Sequence, residues 1–79
     1  MALTGALGRV VRRERERLKL TQEGLAERSG LHPTYLSGIE TGQRNPSLVV
    51  LWALARGLDT DLGRLAALVV GEVQAHAAE

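Results

Sequence analysis

The chain has no cysteine and no phenylalanine, and among its 79 residues only one tyrosine, one tryptophan, one methionine and two prolines. Without cysteine there is neither a disulfide framework nor a thiolate site for a metal. With Tyr35 and Trp52 as the whole aromatic complement, the core has to come from Leu, Val and Ala, which favours packed helices. No apolar run approaches the roughly 20 residues a membrane-spanning helix needs, and no stretch reads as a signal peptide. A soluble cytoplasmic protein is expected, with no membrane partner. No segment alternates as a strand would, and no glycine-rich loop follows a strand, so a nucleotide cradle is excluded. His32 and His76 lie far apart and neither belongs to a metal-ligand spacing. The expectation is no catalytic residue, no metal, no cofactor and no small-molecule substrate.

What is present is enough apolar residue, 44%, for one small folded unit spanning 1–79. Net charge is only +1, but its distribution is uneven. Residues 1–44 carry +3 and residues 45–79 carry −2. A basic front half suits phosphate contact, although a solvated surface would look similar.

Apolar spacing is helical almost throughout and predicts five helices and no sheet, an all-α fold. In the first helix Leu3, Leu7, Val10, Val11 and Leu18 share a face, with Glu14 an irregularity near it. Thr21 reads as the N-cap of the second and Gly30 as its stop. Pro33 suits the first turn of the third, which Gly42 ends. After a polar loop over residues 43–46, Ser47 caps a fourth helix with an apolar stripe of Leu48, Leu51, Trp52 and Ala55. Gly57 stops that helix and Leu58 folds back onto it. Thr60 is expected to cap the fifth, from 61 to about 76.

The third helix carries the most informative signal. Leu36, Ile39 and Glu40 fall on one side, while Thr34, Ser37, Gly38 and Thr41 fall on the other. A solvent face normally carries Lys and Glu; short side chains instead let a helix approach another surface closely. Hydroxyls can meet base edges, and a threonine methyl can meet a thymine methyl. Two short helices joined by a tight turn, the second with such a face, are the parts of a DNA-reading helix-turn-helix. Gln22, at the start of the second helix, and Arg44 and Asn45, in the loop after the third, are candidate phosphate anchors, with Arg17 and Lys19 preceding the motif. Gln43 belongs to the same loop, and His32 is a turn residue or a DNA contact. Arg15 and Glu40 sit at the edges of apolar faces, where a charge needs a partner. An ion pair between them, tying the first helix to the third, is expected.

In the fifth helix Leu62, Leu65, Ala66, Val69 and Val73 occupy one face, widened by Leu68 and Val70. That exceeds what docking onto a small domain requires. Residues 61–77 are therefore expected to form a homodimer interface. A two-fold dimer would match a near-palindromic operator with half-sites roughly 34 Å apart.

The run LTQEGLAERSGLHPTYLSGIETGQRNPSLVVLWALARGL resembles the Xre family, the lambda-repressor-like helix-turn-helix proteins. The resemblance covers about residues 7 to 62, with Gln22, Ala26, Gly30, Ile39, Glu40 and Gly42 in place. TYLSGIETGQRN and the short chain further resemble the controller proteins of restriction–modification systems. That implies a five-helix fold, double-stranded operator DNA as partner, and autoregulation by a dimer; whether two dimers occupy adjacent sites stays open. It also implies that Gln22 touches phosphate, that Arg15 and Glu40 form a buried pair, and that Thr34, Tyr35, Ser37, Arg44 and Asn45 contact DNA. Controller proteins often carry Arg before the Thr-Tyr pair, where this chain has Pro33. Either His32 takes over some reading, or the operator differs, or this is another regulator of the family, such as an antitoxin or phage repressor. A helical adaptor without DNA binding is the alternative from another class, favoured slightly by Pro33 and the low net charge.

Overall fold

Helix boundaries in the computed structural model fall where capping groups put them. The structure describes residues 3–77; positions 1–2 and 78–79 of the single unit expected over 1–79 lie outside the described residues. The described residues form five helices and no strand: α1 (Leu3–Arg17), α2 (Gln22–Ser29), α3 (Pro33–Glu40), α4 (Leu48–Gly57) and α5 (Leu62–Ala77). Thr21 Oγ1 accepts the Gly24 N–H at 2.9 Å and Ser47 Oγ accepts the Val50 N–H at 3.2 Å, so both expected caps form. The cap of α5 is Asp61, not Thr60: its Oδ1 accepts the Arg64 N–H at 2.8 Å. Either residue type can cap, and the carboxylate adds a charge at the positive helix end.

Three helices end in the same reverse turn. After α2, Gly30 is left-handed (φ 68°) and the Leu31 N–H reaches back to the Ala26 carbonyl at 2.9 Å. After α1 the left-handed residue is Lys19 (φ 59°), with the Leu20 N–H on the Arg15 carbonyl at 3.0 Å. After α4 it is Asp59 (φ 58°), with the Thr60 N–H on the Ala55 carbonyl at 2.9 Å. Only the first is announced by a glycine.

The core takes Ala6, Leu7, Val10 and Val11 from α1, Leu25 and Ala26 from α2, and Leu36 and Ile39 from α3. Leu54, Ala55 and the following Leu58 come from the α4 region, and Leu65 and Val69 from α5. α1 packs across α3 and α5, while α2 packs on α3 and α4. Where α1 crosses the end of α3, a Cβ at Gly8 would fall 2.5 Å from the Glu40 carbonyl oxygen. No other residue type fits that crossing without moving backbone.

Two expected faces differ. Leu3, placed on the apolar side of α1, is exposed. Of the α4 stripe of Leu48, Leu51, Trp52 and Ala55 only half turns inward: Ala55 lies in the core and Leu51 packs against it. Leu48 and Trp52 are 67% and 55% exposed, as is Val49 at 77%, and Leu54 lies inside instead. The segment LVVLWALA is apolar nearly all round, so periodicity alone could not choose its inward face. Packing against α2 and α5 chose it.

Candidate nucleic-acid interface

Beneath the motif lies a buried polar frame. Arg15 of α1 donates from Nε to Glu40 Oε2 at 2.6 Å and from Nη2 to Oε1 at 3.0 Å. Its Nη1 donates to the Leu20 carbonyl at 2.8 Å. The two side chains are 11% and 3% exposed. Gln22 Nε2 donates to Glu40 Oε1 at 3.0 Å. One carboxylate at the end of α3 thus ties down the last turn of α1 and the first residue of α2, which sets the angle between the motif's helices. Hydrogen bonding to Glu40 holds the Arg15 guanidinium above its ordinary pKa against the opposing effect of burial. Gln22 retains a second Nε2 proton and its Oε1, so the amide is held in place with donor capacity to spare.

On the opposite side of α3 lie exposed Thr34 and half-buried Ser37 and Gly38. Thr41 continues the row, but its hydroxyl donates back to the Ser37 and Gly38 carbonyls at 3.1 and 3.2 Å. The Gly38 carbonyl also accepts the Gln43 and Arg44 N–H groups, at 2.9 and 3.2 Å, which folds the loop onto the helix. A Cβ at Gly38 would fall 2.6 Å from Arg44 Cγ. The arginine stem therefore lies across the glycine and carries its guanidinium to 5.8 Å from the Tyr35 ring centroid. Tyr35, Gly38 and Arg44 form one surface, with Gln43 and Asn45 exposed beside it. His32 caps α3, its Nδ1 accepting the Thr34 N–H at 3.2 Å, a role that sequence reasoning missed because Ser, Thr, Asp and Asn are the usual caps.

The basic front half is partly neutralised. Arg17 turns back onto Glu14 at 3.1 Å, which explains how that carboxylate sits at 11% exposure beside the core. Arg9 and Arg13 both reach across to Glu72 of α5, each at 2.8 Å. Hydrogen bonds from Arg13 and then Arg9 lower the Glu72 carboxyl from 4.5 to about 2. A carboxyl depressed on folding stabilises fully above its unfolded pKa, and that contribution is lost as pH falls through the folded value. Glu72→Gln should therefore be less stable than wild type at neutral pH, with the difference shrinking from about 4.5 down to about 2. Urea unfolding of both proteins across that range measures it; a gap that persists at the acid end would show that the glutamine disturbs packing instead.

The α5 face divides differently from expectation. Leu65 and Val69, placed in the dimer interface by sequence, are 1% and 8% exposed and already belong to the chain's own core. Val73 packs against the edge of that core. Leu65 and Val69 also line an apolar groove of about 230 Å³, whose walls include Leu62, Ala66, Val70, Leu3 and Pro46. Trp52 of α4, which sequence reasoning had turned inward, stands beside Leu62 around a second depression. Among the described residues no helix is long and apolar enough to cross a membrane, and no group of three or more His, Asp and Glu side chains is placed to hold a metal.

A helix-turn-helix family profile matches residues 11–65. The control protein C.SmaI of Serratia marcescens is 42% identical over 65 residues, which is 82% of this chain and 77% of that one. The restriction–modification controller protein C.AhdI of Aeromonas hydrophila superposes with a TM-score of 0.79 at 42% identity, over 82% of this chain and 98% of that one. The controller protein C.Esp1396I, solved as a tetramer with its natural 35 base-pair operator, superposes at 0.86 with 30% identity, over 94% and 97% of the two chains. On this likeness in sequence and in fold, the chain belongs to the Xre-type helix-turn-helix family, alongside the restriction–modification controller proteins.

Proposed function

We propose that the protein is a sequence-specific transcription regulator of the controller type, binding a near-palindromic DNA operator as a homodimer. The observation that carries this reading is the outer face of α3. Short hydroxylic side chains stand on a helix whose angle is locked from below by the Arg15–Glu40–Gln22 frame, with Arg44 laid over Gly38 beside them. Thr34, Ser37 and Tyr35 meet base edges, and Gly38 makes room for the Arg44 stem beside them. Gln22, Gln43, Arg44 and Asn45 meet the backbone. Arg17 joins them only by leaving Glu14. The operator-bound tetramer of C.Esp1396I supports a second dimer on an adjacent site. The action is occupancy of DNA in the cytoplasm, with no catalytic step.

The dimer surface is assigned to the apolar residues that the monomer leaves uncovered: Leu48, Val49 and Trp52 of α4 with Leu62, Ala66 and Val70 of α5. Residues 61–77 thus serve both the core and the interface.

Fluorescence anisotropy on tiled duplexes from upstream of the protein's own gene, with random DNA as control, tests the reading. One tile should bind tightly and with steep salt dependence. Thr34→Ala and Ser37→Ala should each cost about 1–3 kcal/mol on that tile and little on random DNA. Equal losses on both would remove these residues from base reading.

A further inference from the structure

We propose that His32 is a fixed hydrogen-bond donor to the DNA duplex, presenting its Nε2–H at the amino end of α3 while its Nδ1 is committed to the helix cap. This rests on the regulator reading. The Thr34 backbone N–H donates to Nδ1 at 3.2 Å, so that nitrogen carries no proton. The neutral ring must then hold its proton on Nε2. Pro33 has no N–H of its own and restricts His32 to the extended backbone observed, φ −74° and ψ 136°. The Thr34 N–H is consequently the first donor the ring meets, and the cap holds the imidazole against α3.

A cap alone does not call for histidine. Serine, threonine, aspartate and asparagine do that work with a shorter side chain and are the preferred N-cap residues. The imidazole adds reach and a second nitrogen on the far side of the ring. His32 is exposed, as is its neighbour Thr34 on the reading face. The edge that remains can donate and cannot accept. It therefore selects an atom with a lone pair and no proton, either a purine N7, guanine O6 or thymine O4 in the major groove, or a phosphate oxygen. A donor held this way needs little ordering on binding.

The test separates cap from donor. His32→Ser keeps an N-cap oxygen and removes the donor; His32→Ala removes both. His32→Ser should melt like wild type yet bind the operator about three- to tenfold more weakly, the ratio for one neutral hydrogen bond. His32→Ala should lose that affinity and melt lower as well. A base-edge acceptor predicts the loss on the operator only, and a phosphate acceptor predicts the same loss on random DNA. If His32→Ser binds both duplexes as wild type does, His32 is a cap and nothing more, and the proposal is overturned. If wild type itself binds no duplex, the regulator reading falls and the donor role falls with it.

Discussion

Glu40→Ala is expected to destabilise the domain by about 3–5 kcal/mol, the cost of leaving a buried charge without its partner. The substitution takes two hydrogen bonds from Arg15, whose side chain is only 11% exposed. It also removes the acceptor of Gln22. The guanidinium would retain the Leu20 carbonyl alone among its present partners. Domains in general carry about 5–15 kcal/mol of stability, and one of this size sits toward the lower end. Urea unfolding should find Glu40→Ala barely folded at room temperature. Replacing both members by apolar residues, Arg15→Met with Glu40→Leu, should return most of the loss, because no charge is then stranded. That double variant separates stability from orientation. If the pair sets the angle of the recognition helix, the double variant folds but binds the operator more weakly than wild type. A single Glu40→Ala variant within about 1 kcal/mol of wild type would show a solvated pair and remove the frame from the account.

Much of this frame was legible in the chain. Arg15 and Glu40 stand at helical spacing from buried neighbours, and a charge there calls for its opposite. Thr21, Gly30, Pro33 and Ser47 mark helix ends by rules that need only local chemistry, and all four lie at or next to the observed ends. What could not be read depends on packing between elements. Lys19 and Asp59 adopt left-handed backbone because the chain must turn there, without a glycine to announce it. Leu65 and Val69 went to the core and Trp52 to the surface because α4 and α5 are apolar on more than one side. The contact of Arg44 with Gly38 needs the loop folded back on α3, which no periodicity reveals. Glu72 could not be matched to Arg9 and Arg13 until α1 and α5 were laid side by side.

The exposed face of α4 leads to the other large effect: Trp52→Glu should lower operator affinity by about 10²–10⁴-fold while leaving the monomer folded. Avidity sets that range, since two linked reading heads gain that much over one without any new contact. Trp52 is 55% exposed and stands beside Leu48 and Val49, both more exposed still. Leu62 lines both this region and the apolar groove bounded by Leu3, Ala66 and Val70, so the uncovered apolar surface runs from α4 onto α5. On a two-fold interface the substitution is made twice, and a glutamate at this place would put one carboxylate into each half of the seam. Like charges and lost apolar contact then act together against the dimer. Being the only tryptophan in the chain, Trp52 also reports on itself: wild-type emission should shift to the blue as protein concentration rises through the dimer constant. Sedimentation equilibrium should find Trp52→Glu monomeric, with unchanged circular dichroism and residual affinity for a single half-site. A variant that stays dimeric and binds tightly would move the interface off α4, onto the remaining exposed face of α5, where Val70 lies at 53% exposure.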